Sequence, residues 1–363
     1  MCEKIEIFIK KQDVYGGGIT LKILFNVPTE WLQEAEKEEY SFLTNARLEK
    51  LKEKFNVVLN NESRHFTKEE LIEKISDADA VITHWGSTKI DEEVLSHAKK
   101  LKIVAHLAGT VKSYVCEEVF DKGIKVISAN DTYFARSVAE GVLAYALVGL
   151  RRIDRYSMNL KNMRENGWKT RVSDYRGLMR KKVGIVSFGA VAKHFVDFLK
   201  PFDCRILVYS RSISDETLNE YGMERASLDE IFETCDVISI HTALNEKTRH
   251  FINRDLLSKI KDGALLINTS RGAVIDEQAL VEELENNRFY AVLDVFEKEP
   301  LPGNSKLYDF ENVALFPHKA GPTLDMRNVL TNGILDEVTE FLLNGKEPKS
   351  ILSKERAVSM SFN

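Results

Sequence analysis

From Thr20 onward, short runs rich in Val and Ile alternate with amphipathic stretches, and the alternation comes in two successive series. LKILFNV, FNVVLN, DAVITHW, LKIVAHLAG and IKVISA read as strands, with helices over TKEELIEKI and DEEVLSHAKKL between them. A helix between consecutive strands returns the chain to the same sheet edge, so such strands pair in parallel. The second series starts at KKVGIVSFG and continues through CRILVYS, CDVISIHTA, ALLINTS, FYAVLDVF and VALFP. A chain of 363 residues exceeds what one core usually organises. The expected fold is therefore α/β, with two Rossmann- or flavodoxin-like lobes facing a cleft. Loops at the carboxyl ends of the strands are where such sheets bind ligands.

The stretch between the two series predicts one long helix over about 135–155, ending in Arg151, Arg152 and Arg155. A polar segment with Gly167 and Trp168 follows it. A last helix is expected over about 324–343, before a polar tail. Thr67 with Glu70, and Ser227 with Glu230, have capping-box spacing.

Composition removes several classes. A net charge of -5 gives no electrostatic footprint for nucleic acid, so an anionic ligand needs a local basic pocket. No uninterrupted apolar run reaches the roughly 20 residues of a membrane span. The start, MCEKIEIFIKKQD, lacks a signal-peptide core. Cys2, Cys116, Cys204 and Cys235 show no paired spacing, which fits reduced thiols in the cytoplasm. No metal-ligand spacing is present, and no metal is expected.

VGIVSFGAVAKHF runs from a strand through a turn into a helix. A dinucleotide fingerprint would place glycines at Ser187, Gly189 and Ala192; only Gly189, where backbone approaches the pyrophosphate, is glycine. The next strand ends in Tyr209, Ser210, Arg211 and Ser212, with no carboxylate before Asp215. Two hydroxyls and a guanidinium suit a ribose 2'-phosphate better than a 2'-hydroxyl. The expected cofactor is NADP or NAD, with NADP preferred; the bland alternative is a solvated Arg211.

Arg271 in INTSRGAVIDEQAL, Glu299 in LDVFEKEPL and His318 in LFPHKAG lie on three strand-end loops of the second series. With these segments the chain resembles the D-isomer-specific 2-hydroxyacid dehydrogenases, a family that includes phosphoglycerate dehydrogenases and glyoxylate/hydroxypyruvate reductases. The resemblance runs from about Leu21 to Leu343 and is strongest from Val183 to Thr323. It implies hydride transfer between NAD(P)H and a 2-keto or D-2-hydroxy acid. His318 would exchange a proton with the carbonyl oxygen, Glu299 would orient the imidazole, and Arg271 would hold the carboxylate. Glu299 is preferred over Glu297 because it directly precedes Pro300. Asp294 would sit at the nicotinamide. The implied cofactor-binding set is completed by Ala190, Val191, His241, Thr242, Ala243, Thr248, Thr269 and Gly321.

The implied substrate-binding residues are Trp85, Gly86, Ala108, Gly109 and Lys112. HLAGTVKSYV keeps Gly109, but Thr110, Lys112 and Ser113 replace the family's further glycine and Asp-Asn pair. His84, Trp85 and Lys112 place an aromatic ring and two potential cations near the cleft. That combination suggests an acid bulkier or more anionic than glyoxylate, sugar-derived or cyclic. The resemblance further implies a substrate-binding domain of residues 1–150 plus 321–363, and a dinucleotide-binding domain of residues 151–320. Hinges are expected near Arg151 and Gly321, and a homodimer that uses the Trp168 region. The family also contains a corepressor, so a dinucleotide-sensing binding protein is the alternative reading.

Overall fold

The computed structural model describes residues 21–170 and 175–360; Cys2 and the MCEKIEIFIKKQD segment lie outside the described residues. Five strands, β1 (Lys22–Pro28), β2 (Asn56–Asn60), β3 (Ala80–Thr83), β4 (Ile103–His106) and β5 (Lys125–Ser128), form one parallel sheet in the order β2-β1-β3-β4-β5. Seven more form a second parallel sheet. They are β6 (Lys182–Val186), β7 (Arg205–Tyr209), β8 (Glu224–Arg225), β9 (Val237–Ile240), β10 (Leu265–Asn268), β11 (Tyr290–Leu293) and β12 (Val313–Leu315). Their order is β12-β11-β10-β9-β6-β7-β8, the doubly wound arrangement with its switch point beside β6. Every residue of β3, β4, β9, β10 and β11 is buried. This is why these strands read as mostly apolar runs rather than alternating ones, with Thr83, His106, Ser239 and Asn268 as buried polar exceptions.

The sequence reading missed β8, because two exposed polar residues carry no strand pattern. The predicted long helix also ends earlier. Helix α1 (Ala135–Arg151) stops where Arg152 adopts a left-handed φ of 54°, and α2 (Ile153–Met163) starts in a new direction. The basic cluster therefore divides. The Arg152 guanidinium lies 3.6 Å over the Tyr290 ring, and Arg155 pairs with Glu311 at 2.7 Å. The segment around Trp168 is helical, over Glu165–Lys169.

Asn130–Arg151 forms a continuous helical stretch of 22 residues, long and apolar enough by composition to span a bilayer; half of its apolar 18-residue portion is buried within the fold. Its small residues explain the packing. A Cβ on Gly149 would sit 2.6 Å from Leu265 and 2.9 Å from Val292, so α1 lies directly on β10 and β11.

Helix α3 (Ala190–Leu199) follows β6, and α4 (Arg327–Asn344) returns to the first sheet, packing Leu330, Ile334 and Val338 against Phe25, Ile82 and Ile103. The tail after α4 is not merely polar. Ile351 bridges to Ile127, Ser353 caps a helix over Lys354–Ser359, and Ala357 and Met360 are buried. Thr67 and Glu70 form the complete capping box, whereas Ser227 accepts from the Glu230 amide without the reciprocal bond. Cys116, Cys204 and Cys235 are free thiols, and burial pushes Cys235 up to about 12 and Cys116 up to about 11.

Candidate active site

A cavity of about 540 Å³ opens where loops from both sheets converge, a size suited to a small-molecule ligand. Its nucleotide end is built by the turn after β6. Gly189 caps α3, and a Cβ placed there meets nothing within 4 Å, so the space above the helix N-terminus is open. Backbone N–H groups at such a terminus form an anion site. Ala190, Val191, His241, Thr242, Ala243 and Thr269 line the same end. Ser187 occupies the left-handed region with φ 72°, the conformation that favours glycine. Its hydroxyl hydrogen-bonds the Thr242 hydroxyl at 2.8 Å and its amide donates to Tyr209 at 2.7 Å. The His241 ring bonds the Ser239 hydroxyl at 2.9 Å, and burial lowers its pKa to about 4, keeping it neutral. These features fit a dinucleotide.

Ser210, Arg211 and Ser212 stand at the carboxyl end of β7, with Arg211 and Ser212 exposed, outside the cavity lining. Asp215, the next carboxylate, pairs with Arg225 at 2.7 Å. Thr248 also lies off the lining; its hydroxyl donates to the Ala243 carbonyl at 2.7 Å and braces that loop.

Arg271 and His318 both line the cavity, and Glu299, off the lining, reaches it through His318. His318 Nδ1 lies 2.7 Å from Glu299 Oε2, while Glu299 Oε1 accepts from the Phe296 amide at 3.0 Å. A carboxylate only accepts, so Nδ1 carries the proton and Nε2 is the ring nitrogen available for exchange. Glu297 is engaged elsewhere, on His250 at 2.7 Å and on the Glu277 amide at 3.1 Å. Arg271 leaves β10 through a turn in which Asn268 Nδ2 donates to the Arg271 carbonyl at 3.1 Å. Burial lowers the Arg271 pKa, an effect the Glu299 charge opposes.

The loops after β10 and β11 can touch only because residue 272 is glycine. A Cβ there would sit 1.8 Å from the Phe296 carbonyl carbon. Asp294 is 1% exposed and accepts from the Lys319 amide at 2.7 Å, the Ala320 amide at 3.0 Å and the Tyr145 hydroxyl at 2.7 Å. Burial raises the pKa of this carboxyl. Gly321 meets Val138, where a Cβ would lie 2.9 Å from that residue.

At the far end, Trp85 and Gly109 line the cavity, whereas Gly86, Ala108 and Lys112 do not. Gly86 has φ 76° and its amide donates to the Tyr114 hydroxyl; Ala108 is fully buried, its carbonyl accepting from Ser128. Lys112 is half-buried beside Thr110. His84 is not a cation, contrary to the sequence expectation: burial, then the nearby Arg327 charge, lowers its pKa to about 3. The lining also holds Phe42, Thr110, Asn130, Asp131, Arg327, Arg356 and Met360. Among these, only Thr110 came up in the sequence reading. Arg327, in the first turn of α4 and nine residues after His318, was the one with a usable signal. Arg356, which pairs with Asp131 at 2.8 Å, comes from the tail expected only to be polar.

Gly272→Ala is expected to force these two loops apart. The variant should unfold at lower temperature, at a cost of about 1–3 kcal/mol. Its kcat should fall disproportionately, because Arg271 and Glu299 separate. Unchanged melting and turnover would contradict the contact.

Residues 143–320 match the family description D-isomer specific 2-hydroxyacid dehydrogenase, NAD binding domain. The chain is 33% identical to a hydroxypyruvate reductase of Thermotoga maritima over 80% of its own length and 95% of that protein. It is 31% identical to a glyoxylate reductase of Pyrococcus furiosus, over 84% of this chain and 91% of the relative. Among solved structures, the PH0520 protein of Pyrococcus horikoshii OT3 superposes with a TM-score of 0.73 at 26% identity, covering 93% of this chain and 96% of that one. With an Arg, a Glu and a His gathered beside an open dinucleotide turn, and relatives matched along most of its length, this chain belongs to the D-isomer-specific 2-hydroxyacid dehydrogenase family.

Proposed function

We propose that Arg271, Glu299 and His318 carry the chemistry of this NAD(P)-dependent 2-hydroxyacid dehydrogenase. The observation that carries the reading is the 2.7 Å bond between His318 Nδ1 and Glu299, on a residue lining the cavity. Arg271 grips the substrate carboxylate and polarises the carbonyl next to it. His318 gives a proton from Nε2 to the carbonyl oxygen in reduction and takes it back in oxidation. Glu299 fixes the ring orientation and stabilises the imidazolium. The hydride chemistry belongs to the bound nicotinamide. Asp294 lies at the nicotinamide end of this group. Gly109 and Trp85 face the body of the acid, and the aromatic wall of Phe42 and Trp85 leaves room for a bulky or sugar-derived one.

His318→Asn should lower kcat by about 10²- to 10⁴-fold with glyoxylate or hydroxypyruvate. Cofactor binding, followed by nicotinamide fluorescence, should persist. Wild-type-like turnover would remove His318 from the mechanism.

Arg211, Ser210 and Ser212, with Asp215 already taken by Arg225, favour NADP(H) over NAD(H). Hydrogen bonds to a charged group give about 1.5–3 kcal/mol, so kcat/KM with NADPH should exceed that with NADH by about tenfold or more. Arg211→Ala should erase the difference; an NADH preference in the parent enzyme would reject this assignment.

The domain division we favour is 1–150 plus 321–363 for the substrate and 151–320 for the dinucleotide. Closure would turn about the left-handed Arg152 and the Gly321 contact, excluding water from the cavity. Helix α2 and its surroundings expose Ile153, Met158, Leu160 and Met163, with Trp168 80% exposed. Apolar side chains concentrated in this way mark a contact surface, and a second copy of the chain in a cytoplasmic homodimer would cover it. Sedimentation equilibrium should give twice the chain mass, and Trp168→Glu should shift it toward the monomer. A monomeric parent protein would overturn the dimer.

A further inference from the structure

We propose that Tyr145 is a positioning residue for His318, acting through the Asp294 carboxylate from the middle of α1. The proposal rests on His318 being the proton-exchanging residue of the reaction.

Helix α1 meets the His318 loop along one face, at Val138, Gly141 and Tyr145, whose spacing of three and four residues aligns them on a helix. Val138 packs on Gly321. A Cβ on Gly141 would lie 2.2 Å from the Ala320 carbonyl oxygen, so helix and loop touch backbone to side. Tyr145 stacks on Phe316, ring centroids 4.3 Å apart and planes 20° from parallel, two residues before His318. Its hydroxyl reaches past that ring to Asp294 Oδ1 at 2.7 Å. The same helix lines the cavity through Ala135 and Val138. A wall of the cavity and the brace of the catalytic loop therefore sit on one rigid element.

Asp294 is the centre of that brace. Its side chain holds the amides of Lys319 and Ala320, and its carbonyl accepts the His318 amide at 2.9 Å. His318 thereby keeps a left-handed φ of 53°, a region that non-glycine residues populate sparsely. Accepting all three donors at once favours the ionised carboxylate, because protonation turns one of its oxygens into a donor. Burial works against ionisation, and the two amides, the Tyr145 hydroxyl and the His318 charge oppose burial. The groups facing Asp294 are thus Tyr145 from α1 and His318 with the Lys319 and Ala320 amides from the loop after β12. Glu299 lies beyond His318, on its Nδ1.

Without the tyrosine hydroxyl, the Asp294 carboxyl takes up its proton at a higher pH, and the loop loses its amide anchors there. In Tyr145→Phe, kcat/KM for keto-acid reduction should fall about tenfold at neutral pH. The acidic side of its pH profile should move to higher pH, with partial recovery as pH rises. The alkaline side should stay in place. Phenylalanine keeps the stack on Phe316, so a role in packing alone would scale the profile down without moving its acidic side, and that result overturns the proposal. Unchanged turnover also overturns it.

In an Asp294→Asn background, Tyr145→Phe should add no further loss; a full additional loss would show that the hydroxyl acts elsewhere. Glyoxylate and hydroxypyruvate serve as probes. A parent enzyme inactive on both would defeat the catalytic reading itself, whereas an active parent matched by Tyr145→Phe defeats only the role of Tyr145.

Discussion

The candidate site depends on one buried carboxylate. Asp294 follows β11 with almost no solvent contact, and a charge there is costly unless donors surround it. Here the donors are the backbone of the very loop that carries His318, with a hydroxyl from α1. The cost of burial thus becomes a constraint on geometry, because the loop must stay where its amides satisfy the charge. Glu299 then acts on a ring whose backbone is already placed, so a single 2.7 Å bond is enough to set its tautomer and direction.

The approach of the loops after β10 and β11 is the second requirement. Parallel strands deliver their carboxyl ends to one edge, but neighbouring loops normally stand a side chain apart. Gly272 removes that separation against Phe296 and brings the Arg271 turn beside Glu299. The cavity is then finished by the first sheet and by α4 and the tail, which contribute Trp85, Gly109, Arg327 and Arg356. Arginines reach it from three separate elements, so a protein with a net negative charge can still hold an acid in a locally basic pocket.

The cofactor turn illustrates a substitution that the fold absorbs. Ser187 sits at φ 72°, where a side chain costs about 1–2 kcal/mol. Its hydroxyl bond to Thr242 returns about 1 kcal/mol and also ties the turn after β6 to the loop after β9. The departure from a glycine fingerprint is therefore compatible with an intact cradle at Gly189, which retains its open face.

Much of this protein is legible in its residues alone. Apolar runs separated by amphipathic helices specify parallel strands, because the period and length of each run are local properties. The Arg271, Glu299 and His318 motifs are visible for the same reason: each is a short segment with its own chemistry. Other features depend on contacts between distant segments. Pro300 singles out Glu299, but only the folded chain shows that Glu297 turns to His250 while Glu299 takes His318. His84 looks like a cation until burial makes it neutral, and the tail looks polar until Ala357 and Met360 are covered. Tyr145 reads as one more apolar position of a core helix, and only the folded chain brings its hydroxyl to Asp294, 149 residues away. Desolvation and partner choice are set by what surrounds a side chain, and that is decided by tertiary structure.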